Sequence, residues 1–130
     1  MKSYYCSETE DTPFVELNPE KNKFIFAKRS LPENAYQFYQ PIITWITEFF
    51  DSTDNECVFE FMFDYYNTSS SKQILKILNL LERYKQNGKD IKIKWYHLEE
   101  DDDMKVSGNR FAMLCDIQFE IIEYYPETYK

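Results

Sequence analysis

The sequence predicts a single α/β domain: a mixed, mostly parallel sheet with an N-terminal β-hairpin and packed amphipathic helices. Residues 57–65, 91–96 and 117–121 alternate in polarity with the period of a strand. Between the first two, Ile74, Leu75, Ile77, Leu78, Leu81 and Tyr84 recur with the period of a helix. Near the start, two short apolar runs flank a cluster of turn residues, as in a hairpin.

Residues 1–11 are polar and acidic, and a flexible N-terminal segment is expected there. Residues 14–17 and 23–28 read as the hairpin strands around Asn18-Pro19-Glu20-Lys21-Asn22. Ser30-Leu31-Pro32-Glu33 has capping-box spacing, which predicts a helix starting near residue 33. Its apolar stripe is Ala35, Phe38, Tyr39, Ile42, Ile43, Ile46, Phe49 and Phe50, with Trp45 off centre and expected to be partly exposed. Pro41 should kink or split this helix near Tyr39-Gln40. In the next strand Cys57, Phe59, Phe61, Phe63 and Tyr65 share one face, and Val58, Glu60, Met62 and Asp64 the other. A second helix is expected from about Ser69, with Ser70 and Gln73 as a capping box and Asn87-Gly88 as its end. An acidic loop at 99–103, a helix over 104–114, a last strand and a tail at 124–130 complete the chain. In a β-β-α-β-α-β-α-β order, right-handed crossovers make the central strands parallel and leave the hairpin as an antiparallel edge. The folded domain itself is expected to span 12–123.

At 130 residues with 18% aromatic content, the chain can build a real core without disulfides or metal. Cys6, Cys57 and Cys115 are odd in number and widely spaced, which suits core thiols in a reducing compartment. The start carries no apolar signal-peptide core and no run is long enough to span a membrane, so a cytoplasmic location is expected. A net charge of −8 argues against nucleic-acid partners, which need clustered Lys and Arg. Gly88 and Gly108 are the only glycines, too few for a dinucleotide or phosphate loop, so no cofactor is expected.

Candidate chemistry concentrates in Asp64-Tyr65-Tyr66-Asn67-Thr68-Ser69-Ser70-Ser71-Lys72, where a strand hands over to a helix. A helix N-terminus has unpaired N–H groups and partial positive charge, so a phosphate on one of these hydroxyls would be locally stabilised. The alternative reading is simple helix capping. No catalytic residue is assigned: the lone His97 has no thiol or hydroxyl partner in any motif. The acidic run could support a small metal-dependent hydrolase, although it lacks EF-hand spacing and reads more simply as a solvated loop.

Three segments together resemble the SiaC-type family of bacterial regulatory phosphoproteins. They are residues 32–41 with Trp45, residues 63–72, and Trp95-Tyr96 followed by the acidic run and Met104. The likeness extends over about residues 12–122, leaving the acidic start and the Tyr-rich end outside it. It implies a STAS-like fold and a non-enzymatic partner switch. A dedicated protein kinase phosphorylates a threonine, here Thr68, and a PP2C-like phosphatase removes the phosphate. The unphosphorylated form binds and activates a downstream target, a diguanylate cyclase in the family. Ser69, Ser70 and Ser71 are alternative acceptors, and physics applied to the sequence does not separate four neighbouring hydroxyls. Tyr66, Asn67, Thr68, Ser69 and Lys72 are the expected partner-binding residues. A STAS-type anti-sigma-factor antagonist is the competing binding function.

Overall fold

The computed structural model describes residues 1–125. Six strands and three helices follow in the order β1 (Tyr4–Cys6), β2 (Phe14–Asn18), β3 (Lys23–Ser30), α1 (Ala35–Phe50), β4 (Cys57–Tyr66), α2 (Thr68–Gln86), β5 (Ile91–Leu98), α3 (Asp102–Leu114) and β6 (Gln118–Tyr124). They form one sheet in sequence order, β1-β2-β3-β4-β5-β6. The first two pairings are antiparallel and the last three parallel. The mixed sheet with an N-terminal hairpin is therefore as expected.

Because each parallel strand lies directly beside its predecessor, same-handed crossovers place all three helices on one face. The core shows this one-sidedness. Phe24, Phe26, Phe59, Phe61, Phe63, Ile93 and Trp95 join the inner faces of α1, α2 and α3 in a single cluster. Its centre is aromatic: Phe26 stacks on Phe61 at 5.0 Å and Phe61 on Trp95 at 5.6 Å, directly across neighbouring strands. Such pairs add about 0.5–1.5 kcal/mol each beyond area burial. The opposite sheet face carries a charge ladder, Glu60 beside Lys94 beside Glu120. Beside it runs a more apolar row through Phe14, Ala27, Met62 and Ile122.

Several local expectations are corrected. The segment 1–11 is not loosely attached: Tyr4–Cys6 pairs with β2, and the Lys2 carbonyl accepts from Trp45 Nε1 at 2.8 Å. Trp45 is buried instead of partly exposed, stacked on Phe49 and tilted against Phe24. Helix α1 runs through Pro41 without splitting. Ser30 does not cap α1, because it is paired in the sheet opposite Tyr66. Asn34 is the cap, accepting from the Gln37 N–H at 3.0 Å. The C-terminus of α2 closes as Asn87-Gly88 suggested. The Gly88 N–H reaches the Lys85 carbonyl and the Lys89 N–H the Tyr84 carbonyl, with Gly88 at φ +98°. Two of the five residues of the expected acidic loop are helix: Asp102 and Asp103 form the first turn of α3, which Asp101 caps. Of the expected tail, Tyr124 ends β6 and residues 126–130 lie outside the described residues.

Candidate functional site

Parallel strands β3, β4 and β5 end at the same edge, so α1, α2 and α3 all begin there. In α/β sheets ligands gather at this carboxyl edge, in the crevice made where strand order reverses. Here the order never reverses, so the edge forms a surface without that crevice.

At its centre is the β4–α2 junction. Asn67 caps α2, its Oδ1 accepting from the Ser70 N–H at 2.9 Å and its carbonyl from the Ser71 N–H at 3.0 Å. The N–H groups of Thr68 and Ser69 are left without a protein partner among the described residues, as helix geometry requires. Both side chains are exposed. Ser70 is wholly buried and Ser71 half-buried. The four hydroxyls that looked equivalent in the sequence are thus sorted by the helix turn they occupy.

Ser70 belongs to a buried chain. Its Oγ donates to the Ser30 carbonyl at 2.9 Å and accepts from Ser30 Oγ at 2.8 Å. Ser30 has one hydroxyl hydrogen, already used, so Tyr39 O–H is the donor in the 2.6 Å contact with Ser30 Oγ. Burial pushes the Tyr39 phenol well above its ordinary value.

Tyr66 is placed differently from expectation. The β3–β4 register runs Lys28↔Phe63 and then Arg29↔Tyr65, which makes Asp64 the extra residue of a β-bulge. One extra residue reverses the alternation, so Tyr66 turns inward and contacts Phe63, Trp95 and Phe111. Burial raises its phenol pKa, while a Ser107 hydrogen bond and the Arg110 charge act against the rise. The exposed aromatic is instead Tyr65, 51% accessible. On the β3 side of the bulge Lys28 adopts φ +76°, a left-handed conformation unusual for lysine.

Two clefts flank Thr68. One, between the starts of α1 and α2, is lined by Glu33, Asn34, Tyr36, Ser69, Lys72 and Gln73. Here Tyr36 is 56% exposed, with the Lys76 ammonium 5.1 Å from its ring centroid. The other, between β4 and α3, is lined by Asp64, Tyr65, Tyr66, Asp101, Asp103 and Ser107. The structure thus brings Asn67, Thr68, Ser69 and Lys72 to one surface and withdraws Tyr66 to its wall. Sequence reasoning missed Tyr36 and Tyr65; no sequence signal reveals the bulge that exposes Tyr65. His97 is buried, its Nδ1 2.8 Å from the Leu98 carbonyl. Among the described residues, no group of three or more His, Cys, Asp or Glu side chains is placed to hold a metal ion. No helix among them is long and apolar enough to cross a membrane.

A one-sided α/β domain that presents a capped, uncharged helix start at its sheet edge has the build of a regulatory binding module. The chain matches the model of the SiaC family of regulatory phosphoproteins over residues 6–124, and it belongs to that family. A curated relative, an uncharacterised protein of Pseudomonas aeruginosa strain UCBPP-PA14, is 25% identical over 121 residues, 93% of this chain and 96% of the relative. The fold matches that of SiaC of Pseudomonas aeruginosa, with TM-score 0.88 at 24% identity, covering 95% of this chain and all of that one. It also matches, at TM-score 0.88, SiaC as seen in a crystal structure with the diguanylate cyclase SiaD, whose activator it is. In that comparison identity is 24% and coverage is 93% of this chain and 99% of that one.

Proposed function

We propose that this chain is a non-enzymatic cytoplasmic switch that binds and activates a diguanylate cyclase when unphosphorylated. A cognate kinase transfers phosphate to Thr68, and a PP2C-like phosphatase returns the chain to its binding form. The observation that carries this reading is the placement of Thr68: exposed, first in α2, beside N–H groups that have no protein partner among the described residues. A phosphate there finds donors and the positive end of a helix dipole, so the fold survives modification. It also adds about −1.5 to −2 charge to a surface built from Tyr65, Asn67, Ser69, Lys72 and Tyr36, which opposes docking by desolvation and repulsion. Site-resolved mass spectrometry after incubation with the cognate kinase and ATP is expected to find phosphate on Thr68. Thr68→Ala should then activate the cyclase constitutively and Thr68→Asp weakly. Phosphate on no residue of 68–71, with a kinase shown to be active, removes the mechanism.

A further inference from the structure

We propose that the buried hydroxyl chain Tyr39–Ser30–Ser70 is a latch that positions the acceptor turn and selects which hydroxyls a kinase can reach. The inference rests on the phosphoacceptor reading of that turn. The chain joins three elements: Tyr39 in α1, Ser30 at the end of β3, and Ser70 in the first turn of α2. All three residues have zero accessible surface. Its direction is determined throughout, Tyr39 O–H to Ser30 Oγ, Ser30 O–H to Ser70 Oγ, and Ser70 O–H to the Ser30 carbonyl. The same carbonyl accepts the Asn67 N–H at 3.1 Å. One peptide oxygen therefore ties down both the cap residue and the third residue of the helix.

Two consequences follow for phosphoryl transfer. The reaction forms a bond from a hydroxyl oxygen to the γ-phosphorus of ATP, releases ADP and gives up the hydroxyl proton. Ser70 cannot enter it while latched, because its oxygen is inaccessible and its proton is held by the Ser30 carbonyl. Thr68 and Ser69, two and one residues earlier, point outward because Ser70 points in: successive helix residues are turned by about 100°. Tyr39, Ser30 and Ser70 are thus positioning residues for a reaction that none of them undergoes.

The test uses the full chain and Tyr39→Phe, which removes one oxygen and leaves the ring. Amide exchange at Ser70 and Ser71 should quicken about tenfold, the weight of one buried hydrogen bond. Ser70→Ala should do the same, and the double variant should be no faster than either single one, since each cuts one chain. Independent, multiplying effects, or unchanged exchange, overturn the latch. The second readout takes Thr68→Ala/Ser69→Ala with the cognate kinase and ATP. Ser70 should stay unmodified while Tyr39 is present and take phosphate once Tyr39→Phe is added. Equal modification of Ser70 with and without Tyr39, or none in either, overturns the selecting role. If the unaltered chain takes no phosphate in 68–71 the switch reading fails, and the exchange measurement, which needs no kinase, still decides the latch.

Discussion

Helices α2 and α3 start at the same edge of the sheet after neighbouring parallel strands, and an Asx side chain caps each. They differ in charge. The first turn of α3 carries Asp102 and Asp103 beneath the Asp101 cap, so carboxylates already answer its dipole. The first turn of α2 has an Asn cap, hydroxyls and no acidic residue. A phosphate added at α3 would meet three like charges, whereas one added at α2 meets open N–H groups. Of these two helix starts, the one left electrically incomplete is the one that can accept a removable charge.

The largest effect expected from this contrast is on binding. Phosphorylated Thr68 should lower affinity for the activated target more than a hundredfold, about 3 kcal/mol, while Tm stays level or rises. Calorimetry and thermal melting on the same sample check both, and a fall in Tm would break the comparison with α3. A smaller effect concerns how firmly α3 is seated. A Cβ on Gly108 would lie 2.8 Å from Nε1 of the buried Trp95 and 2.9 Å from Cδ1 of Ile121, which packs against the core. Gly108→Ala should therefore cost about 1–3 kcal/mol by denaturant melting and leave Thr68 phosphorylation intact.

Alkali should also separate the two helices. Cys115 ends α3, its thiol donating to the Phe111 carbonyl, and burial, helped by the Glu82 and Asp116 charges, pushes its pKa up to about 11. A group whose folded pKa is raised contributes stability that is complete below its unfolded value near 9 and lost as pH climbs to about 11. Cys57, also raised to about 11, acts in the same window. The decline in Tm between those values should shrink in Cys115→Ala, while Tyr39→Phe, in the α2 anchor, should shrink the decline that begins near the ordinary tyrosine value of 10 and continues above it. The smallest effects are at the caps. Asn67→Asp should stabilise the unphosphorylated chain by about 0.3–1 kcal/mol, and Asp101→Asn should destabilise it by less, because Asp102 and Asp103 already answer that helix dipole, both effects fading in high salt. Equal responses at the two sites would show that the surrounding charges do not distinguish them.

Much of this was legible in the chain. The hairpin, the three later strands and the stripe of α2 follow from periods of two and of 3.6, which burial on a sheet imposes on any sequence. Thr68 emerged through its resemblance to a family, not through chemistry that sets it apart from Ser69, Ser70 or Ser71. The capping residues were misread at α1 and α2 because Ser30 and Ser70 satisfy the same local pattern as true caps. Their hydroxyls are committed instead to each other, 40 positions apart.

What the sequence determined by itself is the set of elements, their order and the concentration of hydroxyls where β4 meets α2, because these depend on local period and composition. The tertiary structure decided that all helices cover one face, that Tyr65 is exposed while Tyr66 turns inward and is half-buried, and that Ser70 is withdrawn while Thr68 is presented. The first depends on which strands become neighbours. The second depends on one extra residue against β3. The third depends on a hydrogen-bond chain whose members meet only when the sheet and two helices have assembled. Contacts of that range leave no period in the sequence, and they separate an exposed threonine from a buried structural serine two positions away.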